Sequence, residues 1–70
     1  MQVTYKIDTQ VEVNGVVYAF DGEATFWDGD NLTLAQLHGP VYEMDEGNEV
    51  EVTPEIFRAF DNDLSPGYWL

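Results

Sequence analysis

The chain has no cysteine, one histidine, one serine and only two bases, Lys6 and Arg58, among its 70 residues. Without cysteine there is neither a disulfide framework nor a cysteine-based zinc site, and His38 alone leaves few transition-metal options. A reducing, cytosolic setting fits that composition. Ser65 and His38, each the sole residue of its type, offer no nucleophile and base built as a pair. No apolar run approaches the ~20 residues of a membrane span. The start "MQVTYKIDTQ" lacks a basic region followed by an apolar stretch, so the chain reads as soluble and unprocessed. The shortage of bases argues against direct binding to nucleic acid or to an anionic membrane, since both need cations to meet phosphate.

What the chain has in excess is acid. Fourteen Asp and Glu give a net charge of −12 and a pI near 4.1. Disordered acidic segments are poor in aromatic and β-branched residues, whereas this chain is 44% hydrophobic and 14% aromatic. It therefore reads as one folded domain, residues 1–70, that carries its charge outside. At this length folding buries roughly 60% of the unfolded chain's surface, close to the lower limit for a core without staples.

Strand patterning dominates the first half. "VTYKIDTQVEV", then Asn14-Gly15, then "VVYAFDGEATFW" predicts a long hairpin around a type I′ turn, with Val13 opposite Val16, Val11 opposite Tyr18 and Thr9 opposite Phe20. A bulge near Asp8-Thr9 or Asp21-Gly22 would let the ribbon wrap a core. After the turn Asp28–Asn31, the stretch "LTLAQLHGP" fits a short helix from Asn31 to Gly39 or a strand through Leu32 and Leu34; its leucines and its Gly-Pro ending favour the helix. "TPEIFRAFDND" predicts a second, clearer helix: Thr53 as N-cap, Pro54 in the first turn, Ile56, Phe57 and Phe60 on one face, Arg58 outside, ending near Asn62.

Between them, "VYEMDEGNEVEV" (residues 41–52) predicts an acidic hairpin turning at Glu46-Gly47-Asn48. In that register Asp45 faces Glu49 and Glu43 faces Glu51, while Met44 faces Val50 and Tyr42 faces Val52. Two directly opposed like-charge pairs would each cost ~0.2–1 kcal/mol. The fold class is α+β: a small antiparallel sheet of two hairpins with one short C-terminal helix, with a partly closed barrel as the alternative arrangement. Open sheet edges leave homodimer formation available.

Ten of the acids fall into i, i+2 pairs: Asp21/Glu23, Asp28/Asp30, Glu43/Asp45, Glu49/Glu51 and Asp61/Asp63. On a strand such pairs point the same way about 6.6 Å apart, a spacing like that of successive phosphates on a nucleic-acid strand. The bland account is that soluble strands alternate with polar residues and that turns favour Asp. Asp28-Gly29-Asp30-Asn31 and Asp61-Asn62-Asp63 resemble the opening of a calcium loop, but neither continues with the required ligands, and no metal site is expected. Paired carboxylates could hydrolyse glycosides, yet a domain this small has little room for a cleft, so the chain does not read as an enzyme and implies no cofactor. Tyr68 and Trp69, in the closing "GYWL", serve either as core or as an aromatic anchor for a partner, with core favoured; Trp27 is read the same way.

In size and charge, though not in any residue pattern, the chain resembles small phage-encoded DNA-mimic inhibitors of the anti-CRISPR and anti-restriction kind. That resemblance implies a cytoplasmic, non-enzymatic inhibitor that occupies the cationic site of a nucleic-acid-binding protein, in the host cytoplasm if the chain is phage-encoded. Glu43, Asp45, Glu49 and Glu51 would form the central patch, Asp28, Asp30, Asp61 and Asp63 would extend it, and Tyr42 and Met44 would hold the hairpin to the core. The alternatives are an antitoxin-like or assembly module that binds one basic partner through aromatic anchors, and a structural domain whose acidity keeps it in solution.

Overall fold

A computed structural model describes residues 1–65. Strands β1 (Gln2–Val13) and β2 (Val16–Asp28) form the long hairpin, with Asn14 at φ 52° and Gly15 at φ 81° as a type I′ turn demands. Their pairing keeps one register throughout, with Val13 opposite Val16, Val11 opposite Tyr18 and Thr9 opposite Phe20 as expected. No bulge interrupts it at Asp8-Thr9 or Asp21-Gly22. The alternating face formed by Val3, Tyr5, Ile7, Val11, Tyr18, Phe20, Ala24 and Phe26 turns inward.

Residues 32–38 are a strand, β3 (Leu32–His38), and not the helix that the leucines favoured. A bulge explains the disagreement. Pairing steps from Thr25–Gln36 to Phe26–Leu34, so Ala35 is the extra residue, and Leu34 and Leu37 come to the same face although they lie three apart. Spacing of two and then three imitates helical periodicity, but a seven-residue helix is not self-sustaining and would leave the edge of β2 without partners.

β3 continues into β4 (Val41–Glu43) along the same edge of β2. Glu23 faces His38 and Phe20 faces Val41 in one common register, so Gly39-Pro40 interrupts a single line of pairing opposite Asp21-Gly22. Gly39 takes φ 139°, which an L side chain rarely adopts. Gly22 is required for a different reason: a Cβ there would stand 3.1 Å from the Phe20 ring and 3.2 Å from the His38 carbonyl oxygen.

β5 (Asn48–Val50) closes the sheet order β1-β2-β4-β5, with β3 beside β2 and the sheet left open. The β4–β5 register departs from expectation by three residues: Val41 faces Val50, Tyr42 faces Glu49 and Glu43 faces Asn48. Gly47, at φ 73°, donates its N–H to the Glu43 carbonyl at 2.8 Å, which makes Met44–Gly47 a four-residue loop. This register puts Val41 and Val50 on the core and removes both like-charge pairs; the acids at 43, 45, 49 and 51 no longer oppose one another.

Helix α1 (Pro54–Leu64) lies across the inward face against β1 and β3. The Thr53 hydroxyl accepts from the Ile56 N–H at 3.3 Å, and Ile56, Phe60 and Leu64 are buried. Phe60 meets the edge of the Phe20 ring at a centroid separation of 6.4 Å, and Tyr5 meets Phe26 at 6.0 Å.

Candidate partner-binding surface

None of the fourteen acids is buried. Their placement follows the corrected registers. Glu43, Asp45, Glu46, Glu49 and Glu51 occupy nine consecutive residues at the β4–β5 hairpin, and the Met44 N–H bonds to the Val17 carbonyl at 2.9 Å, seating this tip beside the end of the first hairpin. Glu12, opposite Val17, and Glu55, held at 3.0 Å by the Asn14 side-chain amide, reach the same end. No Lys or Arg occurs between Lys6 and Arg58, so no base interrupts the tip in sequence, and Arg58 comes up to Val52 only along the groove beyond Glu51. The four residues expected as the central patch therefore stay together at one end of the molecule, but as a loop and its flanks and not as two facing rows. Glu43 lies on the core side of β4 with Val41, and Glu49 pairs on the opposite side with Tyr42.

The proposed extensions separate from that patch. Asp28 and Asp30 border the β2–β3 turn at the far end of β2. Asp61 and Asp63 are tied up in holding the helix to the sheet: Asp61 accepts the Leu34 backbone N–H at 2.9 Å, and Asp63 accepts the Thr9 hydroxyl at 2.6 Å. On a helix, residues two apart do not share a face. Replacing Asp61 by Ala orphans a part-buried N–H and is expected to cost about 1–3 kcal/mol in urea unfolding, whereas Asn, which keeps an acceptor, should cost clearly less. Equal losses from both substitutions would mean that the bond is unimportant.

Sequence reading gave Asp21/Glu23 as a pair but left the acids of the outer sheet face, Asp8, Glu12, Asp21 and Glu23, out of the candidate patch and did not set Asp8 against Asp21. Asp8 and Asp21 stand directly opposite, both exposed, and Asp21/Glu23 is the one i, i+2 pair lying wholly within a strand. The signal was present in the Asn14-Gly15 turn, whose register, carried five residues along each strand from the Val13–Val16 pair, sets position 8 against position 21. Relief of this like-charge opposition predicts that Asp21→Asn stabilises the fold by about 0.2–1 kcal/mol in the same unfolding assay.

The exposed aromatics also differ from expectation. Tyr42 and Met44 do not clamp the hairpin to the core: they are 42% and 47% exposed, and Val41 and Val50 do the packing. Trp27, read as core, is 54% exposed on the outer face. Tyr68 and Trp69 lie outside the described residues. On the same outer face the Thr25 hydroxyl bonds to His38 Nε2 at 2.7 Å and to the Thr4 hydroxyl at 3.1 Å, a polar chain across three strands.

Among the described residues no group of three or more His, Asp or Glu is placed to hold a metal ion, and no helix is long and apolar enough to cross a membrane. Among the described residues, open grooves include one of about 420 Å³ along Lys6–Thr9, Asp63 and Leu64 and one of about 470 Å³ between Val52–Pro54 and Phe57, Arg58 and Asp61. No family model, curated protein or solved structure matches the chain.

Proposed function

We propose that this chain is a non-enzymatic acidic inhibitor that mimics the charge of nucleic acid and occupies the cationic site of a nucleic-acid-binding protein, of a defence or nucleic-acid-processing kind. The observation that carries this reading is the tip: five carboxylates in nine residues, uninterrupted by a base, on a molecule of net charge −12 with no acid buried. Such a surface repels nucleic acid and membrane, and it steers a basic protein toward itself with a rate that falls as salt rises. A cytoplasmic setting, that of a host if the chain is phage-encoded, accompanies this reading. The deciding experiment is competition. A protein retained by the native chain should be released by added nucleic acid and should not be retained after Glu43→Gln, Asp45→Asn, Glu49→Gln and Glu51→Gln together; retention through both treatments would sink the proposal.

A second reading has its own observation, the exposure of Tyr42 and Met44 on that same hairpin. Exposed aromatic and Met side chains are favoured at interface centres. An interaction module of this kind predicts that Tyr42→Ala removes binding while nucleic acid does not compete.

A further inference from the structure

The two long edges of the sheet are treated differently. On the β3 side, a bulge, the Gly39-Pro40 interruption and the Asp61 carboxylate bound to the Leu34 N–H all obstruct further strand pairing, and β5 is three residues long. These are the usual devices that keep an edge from adding strands. β1 carries charges at Lys6, Asp8 and Glu12 but runs twelve residues without proline, glycine or bulge, and no strand among the described residues pairs with its outer side. The Met1 carbonyl accepts from the Asp28 N–H at 2.8 Å, so odd positions bond inward to β2. Gln2, Thr4, Lys6, Asp8, Gln10 and Glu12 accordingly direct their backbone N–H and C=O groups away from the sheet. A groove lined by Lys6–Thr9, Asp63 and Leu64 lies beside the middle of β1.

We propose that β1 pairs antiparallel with β1 of a second copy of this chain, about a two-fold axis at Ile7. Charge complementarity selects both the occupant and the register. With Ile7 opposite itself, Lys6 faces Asp8 of the second copy and Asp8 faces its Lys6, while Thr4 faces Gln10 and Gln2 faces Glu12. Every outward-directed position from 2 to 12 thereby finds a partner. On the inner face Val3 meets Val11 and Tyr5 meets Thr9, so apolar sides stay together. An axis one residue away, at Lys6 or at Asp8, would set like charges against each other. Asp8, already opposed by Asp21 within its own sheet, gains a cation on its other side. The contact is isologous and joins two five-stranded sheets into one.

This pairing stands on the edge of β1 that no described strand occupies and is independent of the acidic tip. Two chains of charge −12 repel, so association should strengthen as salt is raised from low to moderate concentration, opposite in sign to the salt response of a basic partner at the tip. The test is sedimentation velocity over a range of protein concentrations with a charge-swap series. Lys6→Asp alone and Asp8→Lys alone should each weaken dimerisation about tenfold or more, since two opposite-charge pairs become two like-charge pairs. The double variant, carrying Lys6→Asp with Asp8→Lys, should restore it. Circular dichroism identifies a variant that fails to fold, and hydrogen exchange of the native chain gives a readout free of substitution: the amides of residues 4, 6, 8 and 10 should slow with rising concentration. A monomer at every salt and concentration, a double swap that fails to rescue, or edge amides protected equally at the lowest concentration would each overturn the proposal.

Discussion

Phe60→Ala is expected to leave the chain largely unfolded at room temperature. Phe60 is fully buried, reaches the sheet from the middle of the only helix among the described residues, and contacts the Phe20 ring edge-on. Truncating such a residue typically costs about 3–5 kcal/mol, from lost burial plus the cavity that remains. A single core of this size, without a disulfide, supplies a total of only about 3–5 kcal/mol. The two quantities are equal, so one substitution is sufficient. Phe57→Ala, one turn earlier and half-buried, is the matched control and should lose under about 2 kcal/mol. Far-UV circular dichroism and urea unfolding distinguish the outcomes: a Phe60→Ala protein that unfolds cooperatively within 1 kcal/mol of the parent would mean that the helix is not what closes this core.

The helix itself was readable from the sequence, although the sequence set Phe57 and Phe60 on one face and did not distinguish the half-buried first from the buried second. Thr53 and Pro54 mark its start, and the apolar positions 56 and 60 recur at its period. The first hairpin was equally plain, since a two-residue Asn-Gly turn leaves only one register. Elsewhere the sequence supported two answers of nearly equal quality. Leu34 and Leu37 match a helical face or a bulged strand, and only the need of β2 for a partner decides between them. Residues 41–52 can turn at 46–48 or at 44–47, each with an apolar side, and an odd shift exchanges the two faces of a strand. That one ambiguity moved Glu49 from a row of acids to a place beside Tyr42, and it exposed Tyr42 and Met44. A charged patch is legible as composition long before it is legible as geometry. Asp61 shows the converse, a carboxylate that counts toward net charge yet is committed to an internal backbone N–H.

Neutralising the tip should abolish partner binding while leaving the fold intact, and a second variant of equal charge separates location from quantity. Glu43→Gln, Asp45→Asn, Glu49→Gln and Glu51→Gln remove four charges from the β4–β5 hairpin; Asp8→Asn, Asp21→Asn, Glu23→Gln and Asp28→Asn remove four from β1 and β2 away from that tip. Both leave a net charge of −8, from the native −12. Because the tip acids do not oppose one another, their neutralisation relieves little repulsion and should shift stability by no more than about 0.5 kcal/mol, the usual range for surface changes. The sheet-face variant, which dissolves the Asp8–Asp21 opposition, should gain more. Against a basic protein that nucleic acid displaces from the native chain, the tip variant should associate on the order of 10–10³-fold more slowly at low salt, and its salt dependence should flatten. Close contact with Lys and Arg belongs to the tip on this reading, so the sheet-face variant should keep most of its affinity and lose only long-range steering. Equal losses from both variants would reduce the role of these acids to net charge alone. A partner that survives both would hand the interface to Tyr42 and Met44.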